Sequence, residues 1–192
     1  MADTRGRRRP PPFFVGKRLR WAALALVVGL FGCGEALPVG SFRATAPVID
    51  PIRFFTGHVV SWGVLENRAG QPTRIVQTDC VGEAGDGTLR MTQRLVIGED
   101  APVTRTWQMR RAAPGRYEAT ANDMVGSAVG EAAGRAFHWT WTLATSPGNP
   151  LKNVDMDQWW YLLDDGSMLN RTTIRKLGVI VAEVSEHFAR AP

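Results

Sequence analysis

The sequence has 192 residues, two cysteines and a formal net charge of +5. The positive charge is concentrated at the N-terminus: residues 1–32 hold seven of the 23 basic residues and one of the 18 acidic residues, so 16 basic and 17 acidic residues remain after residue 32. The rest of the chain therefore has no basic excess of the kind that binds nucleic acid. Its 160 residues suit one domain with a sizeable core.

The first 33 residues have the organisation of a secretory signal. Basic residues precede an uncharged apolar run over residues 21–31, and Gly32 and Cys33 follow it. This run is too short for a transmembrane helix, which needs about 20 residues. Residues 30–33, Leu-Phe-Gly-Cys, resemble the bacterial lipobox, in which the cysteine is acylated and becomes the first residue after cleavage. We predict a signal peptide over residues 1–32 and lipid attachment at Cys33, with an uncleaved anchor helix as the alternative.

The signal also predicts where the folded part lies. An acylated cysteine holds a protein firmly to a bilayer without a spanning segment, so we expect a lipid-anchored protein that faces the periplasm. Gly34 stands where Asp would resemble an inner-membrane retention signal, which favours the outer membrane. Residues 33–53 contain three prolines among small and polar residues and are predicted to be a lipidated tether. The folded domain is then expected over residues 54–192.

From residue 54 onwards, short apolar segments alternate with turn residues, with a turn about every ten residues. In residues 136–144, Phe137, Trp139 and Trp141 share one face of a strand, and in residues 103–109 Arg105 shares a face with Trp107. The pattern predicts a mainly β protein, an antiparallel barrel of about eight strands. At that number of strands a small barrel can hold one ligand.

The C-terminal segment has a different period. Apolar residues recur there at alternating spacings of three and four: Ile174, Leu177, Val181, Val184 and Phe188. This spacing is typical of one face of a helix, and Asn170 stands where an N-cap residue would stand. We predict a C-terminal α-helix packed on the outside of the barrel.

Several short motifs are spread over the chain after Cys33. They are Phe54-Phe55-Thr56-Gly57, Trp62-Gly63, Arg105-x-Trp107, Asp123-x-Val125-Gly126-x-Ala128-x-Gly130, Asp157-x-Trp159 and Asn170-Arg171. Together they resemble DUF3833, a family of uncharacterised proteobacterial lipoproteins. The resemblance implies a lipocalin-like (calycin) barrel by fold analogy, and a fold alone implies no activity.

No pattern in the sequence indicates a metal site or a catalytic nucleophile. His58, His138 and His187 lie on separate elements, without the spacing of a zinc site. The aspartates between residues 155 and 165 lack the calcium-loop pattern, and there is no Gly-x-Ser-x-Gly. If Cys33 is acylated, Cys80 has no disulfide partner. We therefore expect no enzyme, and no metal or cofactor.

Tryptophan is the most informative residue type. Six tryptophans lie beyond Cys33: Trp62, Trp107, Trp139, Trp141, Trp159 and Trp160. Large apolar residues usually fill a core. Trp62, Trp107, Trp139 and Trp141 could instead form the walls of a cavity for an apolar ligand.

Arg105 is unusual because strand alternation places its charge among apolar residues. A buried arginine is rare unless it is paired. It could stack on a tryptophan, pair with Asp123 or Asp157, or bind the anionic group of a ligand. The leading hypothesis is a periplasmic lipoprotein that binds a hydrophobic or amphiphilic small molecule, such as a lipid. The alternative is an envelope structural or protein-interaction lipoprotein with a solid core and no ligand. The sequence does not indicate an oligomeric state.

Overall fold

A computed structural model describes residues 37–192. Ten antiparallel strands form a closed barrel in which each strand pairs with its neighbours in sequence and the last strand pairs with the first. The strands are β1 (Gly57–Asn67), β2 (Pro72–Gly85), β3 (Thr88–Ile97), β4 (Val103–Ala113), β5 (Arg116–Ala121), β6 (Met124–Ala133), β7 (Ala136–Leu143), β8 (Val154–Leu162), β9 (Met168–Lys176) and β10 (Val179–Arg190). The predicted antiparallel barrel is confirmed, but the expected number of about eight strands is wrong. The predicted signal peptide and Cys33 lie outside the described residues.

Side-chain alternation builds the interior of the barrel. In β7 the buried side chains are Phe137, Trp139 and Trp141, and in β4 they include Arg105 and Trp107. Successive residues of a strand point to opposite faces. The predicted faces of these two strands are therefore confirmed, and they bring aromatic and charged side chains into one core.

The predicted C-terminal helix is wrong, because this segment forms the second half of β9 and all of β10. Lys176 pairs with Val179, so Leu177 and Gly178 form a two-residue hairpin turn. Both turn residues have positive φ, at 50° and 80°, as a type I′ turn requires. The spacing of four between Val184 and Phe188 fits a helical face, but it also puts both side chains on one face of a strand.

One short helix, α1 (Pro51–Phe55), closes one end of the barrel, which we call the α1 end. Asp50 caps it, because its Oδ1 accepts hydrogen bonds from the backbone N–H of Ile52 at 3.1 Å and of Arg53 at 3.3 Å. The Phe55 ring contacts the Trp160 ring edge-on, with 5.4 Å between centroids. The helix therefore places an aromatic side chain directly over the barrel interior.

The chain before α1 also packs on the barrel. Val39, in a 3-10 helix (Val39–Phe42), is buried, and so is Ile49. The backbone N–H of Ile49 donates to the carbonyl oxygen of Gly134 at 2.8 Å. The compact unit begins at Pro38, ahead of the boundary expected at residue 54.

The barrel closes on itself within this unit. All ten strands and the core lie between residues 38 and 192, so this part of the chain has what a domain needs to fold alone. Within residues 37–192 there is no helix with the length and apolar character needed to cross a bilayer.

Candidate functional site: the barrel interior

A small cavity of about 40 Å³ lies in the middle of the barrel. Its lining mixes aromatic with polar side chains, among them Phe55, Arg105, Trp139, Gln158, Trp160 and Glu186. A site for one water molecule needs about 10–15 Å³, so the cavity has room for roughly three. Larger hollows, such as one of about 440 Å³ beside Arg90 and Glu118, lie open on the outer wall. Ligand sites are usually enclosed and lined by apolar groups with a few polar ones, so the interior is the candidate site.

Three tryptophans form the aromatic wall of this cavity. Trp107 stacks on Trp139 with 5.0 Å between ring centroids and 22° between planes. Trp141 meets Trp107 edge-on at 5.2 Å. Offset stacks and edge-on pairs are the favoured aromatic geometries. Trp107 is therefore in contact with both Trp139 and Trp141, and these are three of the four tryptophans predicted to lie together.

Two glutamines satisfy the indole N–H groups of this wall. Gln93 Oε1 accepts from Trp107 Nε1 at 2.9 Å. Gln158 Oε1 accepts from both Trp139 Nε1 at 2.7 Å and Trp141 Nε1 at 2.8 Å. A buried donor without a partner costs free energy, so these amides fix the orientation of the three rings.

Arg105 forms an ion pair inside the barrel. Its Nε donates to both carboxylate oxygens of Asp123, at 2.7 and 2.9 Å. Its guanidinium carbon also lies 4.8 Å from the ring centroid of Trp141 and 5.5 Å from that of Trp107. Arg105 is 8% exposed. Two of the three expected interactions of Arg105, pairing with Asp123 and stacking on tryptophan, are thus both present.

Glu186 brings a second ionisable group to the cavity. The hydroxyl groups of Ser61 and Thr78 both donate to its Oε1, at 2.7 and 3.0 Å. Burial disfavours the charged carboxylate, and it raises the pKa of Glu186 above the ordinary value of 4.5. The two hydroxyl bonds oppose this effect without cancelling it. The interior therefore favours the neutral acid, which can donate a hydrogen bond.

The indole of Trp160 is not satisfied in the same way. Its Nε1 is buried and has no hydrogen-bond partner among the side chains and backbone of residues 37–192. Trp160 also borders the cavity. Most buried donors in folded proteins are paired, so an unpaired one calls for an explanation.

Cys80 is the free thiol of the interior. It is fully buried and borders the same cavity. Burial, and then the nearby carboxyl of Glu186, raise its pKa to about 12. A thiol in this state is not a nucleophile.

The structure does not place Trp62 with the other predicted ligand-binding residues. Val59 and Ser61 of β1 are buried, so the alternation puts Trp62 on the outer face, where it is 55% exposed. The sequence around Trp62 has apolar residues on both faces of the strand, so the pattern did not show which face points into the barrel. Trp62 cannot form a wall of the interior, and its assignment as a ligand-binding residue is corrected.

The histidines and aspartates lie outside the cavity in separate pairs. His58 pairs with Asp79 at 2.9 Å, and His138 with Asp157 at 2.7 Å. His187 instead contacts the Ser167 hydroxyl. Across the described part of the chain, no three His, Cys, Asp or Glu side chains are grouped as metal ligands.

Sequence reasoning missed four polar groups of the interior, which are Gln93, Gln158, Glu186 and the indole N–H of Trp160. A signal existed for Gln93, because Leu89 and Met91 precede it at alternate positions. Glu186 was missed because β10 was interpreted as a helix, and Glu186 does not belong to the apolar face of that predicted helix. The unpaired N–H of Trp160 depends on contacts across the barrel, which the sequence does not contain.

The fold and interior define a closed antiparallel β-barrel protein with an aromatic core that also holds buried polar groups. The model of the family described as "Protein of unknown function (DUF3833)" matches residues 27–190. The chain belongs to this family. None of the curated proteins matches the sequence.

Solved structures share the fold at low sequence identity. The structure of Rv2717c from M. tuberculosis is similar with a TM-score of 0.52 and 15% identity, over 77% of this chain and 99% of that one. The S-type phycobiliprotein lyase CPES from Guillardia theta is similar with a TM-score of 0.51 and 9% identity, over 73% of this chain and 92% of that one. At these identities the similarity concerns the fold alone.

Proposed function

We propose that this protein is a lipid-anchored periplasmic barrel that binds a small amphiphilic molecule in its interior. The observation that supports the proposal is the polar lining of the central cavity. Three tryptophans line the central cavity together with Glu186 and with Trp160, whose N–H is unpaired within residues 37–192. A few convergent polar groups in an apolar pocket are typical of small-molecule sites.

The energetic cost of these groups favours binding over a purely structural core. Burying an ion pair such as Arg105–Asp123 often stabilises a protein less than apolar residues of the same size would. Burying an unpaired donor costs about 1–3 kcal/mol. A barrel selected only for stability has no need of either group, whereas in a binding site the unpaired donor can bind the ligand.

The ligand must open the interior before it can enter, because about 40 Å³ holds only a few waters. Phe55 is the one lining residue that does not belong to a strand, since it comes from α1. Met91 and Met109 also line the cavity, and methionine side chains adapt easily to a new shape. We therefore place the entrance at the α1 end of the barrel.

The anchor and location belong to the same proposal. Lipid attachment at Cys33 follows from the lipobox-like residues 30–33, and the family match begins at residue 27, before that stretch. Only residues 34–37 separate Cys33 from the compact unit. Gly34 favours the outer membrane. The phycobiliprotein lyase shares the fold alone, so its reaction is not carried over.

The test is native mass spectrometry of residues 34–192 after exposure to a membrane extract. We expect a discrete small-molecule adduct on the unsubstituted barrel. Cys80→Met should remove the adduct because the larger side chain fills the cavity, while Cys80→Ala, which enlarges the cavity, should keep it. The absence of an adduct from both the unsubstituted barrel and Cys80→Ala would contradict the proposal.

The second candidate function is protein interaction in the envelope. The small volume of the cavity favours it, because a barrel with a nearly solid core can act only through its surface. A clean mass without adduct, together with a specific protein crosslinked to the barrel, would support this candidate.

A further inference from the structure

We propose, building on the function proposed above, that the polar end of the ligand carries an uncharged carbonyl oxygen. In this arrangement the oxygen accepts hydrogen bonds from the Nε1–H of Trp160 and from the carboxyl group of Glu186. Arg105, which the sequence had suggested for an anionic group, then keeps its role inside the protein.

The first support is the contrast between Trp160 and the other interior tryptophans. Gln93 and Gln158 satisfy the N–H groups of Trp107, Trp139 and Trp141. The N–H of Trp160 is left unpaired within residues 37–192. Because Trp160 borders the cavity, an acceptor that enters the cavity can supply the missing bond.

The second support is the way Glu186 is held. Ser61 and Thr78 both donate to Oε1, and among residues 37–192 no basic side chain contributes to the shift in the pKa of the carboxyl group. The pKa of Glu186 is raised by burial, so Oε2 can carry a proton toward the cavity. The other ionisable groups around the cavity are the Cys80 thiol on β2 and Arg105 on β4.

The third support is that Arg105 has no free charge to offer. Its Nε contacts both oxygens of Asp123, and its Nη1 lies 3.4 Å from Gln93 Oε1. An anionic ligand group would have to share the single positive charge of Arg105 with the Asp123 carboxylate, which would leave a net negative charge in the interior. The cavity therefore suits an uncharged acceptor better than an anion.

The test compares four octyl probes on residues 34–192 by quenching of tryptophan fluorescence. Methyl octanoate carries the carbonyl group, and octyl methyl ether lacks it. Octyl phosphate is anionic and octyltrimethylammonium is cationic. We expect methyl octanoate to bind at least about tenfold more tightly than the other three, since one hydrogen bond to a buried donor is worth about that factor.

Three variants identify the groups responsible. Trp160→Phe replaces the indole with another aromatic ring that has no N–H donor, and it should weaken methyl octanoate binding about tenfold without weakening the binding of octyl methyl ether. Trp62→Phe is the matched control on the outer wall and should change nothing. Glu186→Gln keeps a donor and cannot titrate, so its affinity should stay constant where the unsubstituted barrel loses affinity with rising pH.

The outcomes separate the two proposals. Equal binding of methyl octanoate and octyl methyl ether, or tighter binding of octyl phosphate, would overturn the carbonyl inference and leave the binding barrel in place. Unchanged methyl octanoate binding in Trp160→Phe would also overturn the inference. If no probe binds the unsubstituted barrel and the membrane extract leaves no adduct, the proposed function itself fails.

Discussion

Arg105 and Asp123 depend on each other inside the barrel. The side chain of Arg105 is 10% exposed and that of Asp123 is 20% exposed, and Nε contacts both carboxylate oxygens. Asp123→Ala leaves the guanidinium buried without its partner, and we expect it to lower the free energy of unfolding by about 3 kcal/mol. Urea denaturation measures the change.

The matched control for that prediction is the double variant Arg105→Met with Asp123→Ala. It removes both charges, so it should recover most of the stability lost in Asp123→Ala, because the cost comes from an unpaired charge. Strictly additive losses in the double variant would mean that the pair is not coupled.

Glu186 should make the stability of the barrel depend on pH. Its pKa in the folded protein is raised above the ordinary 4.5. At a pH between the ordinary pKa and the raised pKa, Glu186 is protonated in the folded protein and ionised in the unfolded chain. The free energy of unfolding therefore falls as the pH rises through this range. Below 4.5 both states are protonated and the contribution is constant.

Glu186→Gln tests this dependence because an amide does not titrate. We expect the variant to gain stability relative to the unsubstituted barrel as the pH is raised from about 4 to about 8. Urea denaturation at a series of pH values measures the difference. A constant difference over the whole range would show that Glu186 has an ordinary pKa in the folded state.

At the residue scale, alternation alone predicted much of the interior. It placed Arg105 with Trp107 on the inner face of β4, and Trp139 with Trp141 on that of β7. It failed for Trp62, where apolar residues occupy both faces of β1. The sequence also could not show that Arg105 pairs with Asp123 rather than with Asp157, because the choice depends on how β4 and β5 pair in the sheet.

At the element scale, β9 and β10 show why a helical period can mislead. Leu177 lies on the predicted helical face, yet it is 91% exposed at the tip of a hairpin. Threonine, valine and isoleucine dominate residues 172–181, and such β-branched residues favour strands. Composition and the Leu177-Gly178 turn carried the correct signal, while the spacing of apolar residues was compatible with both structures.

Gly134 controls how the chain before α1 docks on the barrel. It lies in the turn between β6 and β7 with φ of 51°, and a Cβ there would overlap the carbonyl oxygen of Phe42. The Arg43 side chain is already exposed, but the docked backbone around it resists cleavage. We expect Gly134→Ala to displace the 3-10 helix (Val39–Phe42) and so to increase tryptic cleavage after Arg43. Limited proteolysis followed by mass spectrometry measures cleavage after Arg43.

Gly148→Ala is the control for this experiment. Gly148 also has positive φ, at 78°, but a Cβ there would meet nothing within 4 Å. It imposes a comparable backbone strain without the clash, so cleavage after Arg43 should stay at the level of the unsubstituted barrel. Equal cleavage in both alanine variants would mean that the close approach at Gly134 does not hold the segment.

At the scale of the whole molecule, the sequence predicted an antiparallel barrel but did not predict the pairing of its first and last strands. Regular turns predicted an antiparallel barrel, and the barrel is present. The β1–β10 pairing that closes it joins Val59 of the first strand to Arg190 of the last strand. No local pattern records such a contact, and the segment that makes it was interpreted as a helix. A strand count of about eight followed from the same error.

The predicted lipid anchor belongs to this scale, because it decides where the whole barrel resides. Residues 30–33, Leu-Phe-Gly-Cys, lie outside the described residues and were interpreted from their resemblance to the lipobox. Cys33→Ser should abolish incorporation of labelled palmitate and leave residues 1–32 attached, because acylation of the cysteine precedes cleavage at a lipobox. Cys80→Ser should keep the label, since Cys80 is buried in the barrel. Intact mass and palmitate labelling in a bacterial host measure both effects. A natural chain that retains residues 1–32 and carries no palmitate would contradict the prediction and indicate the uncleaved anchor helix instead.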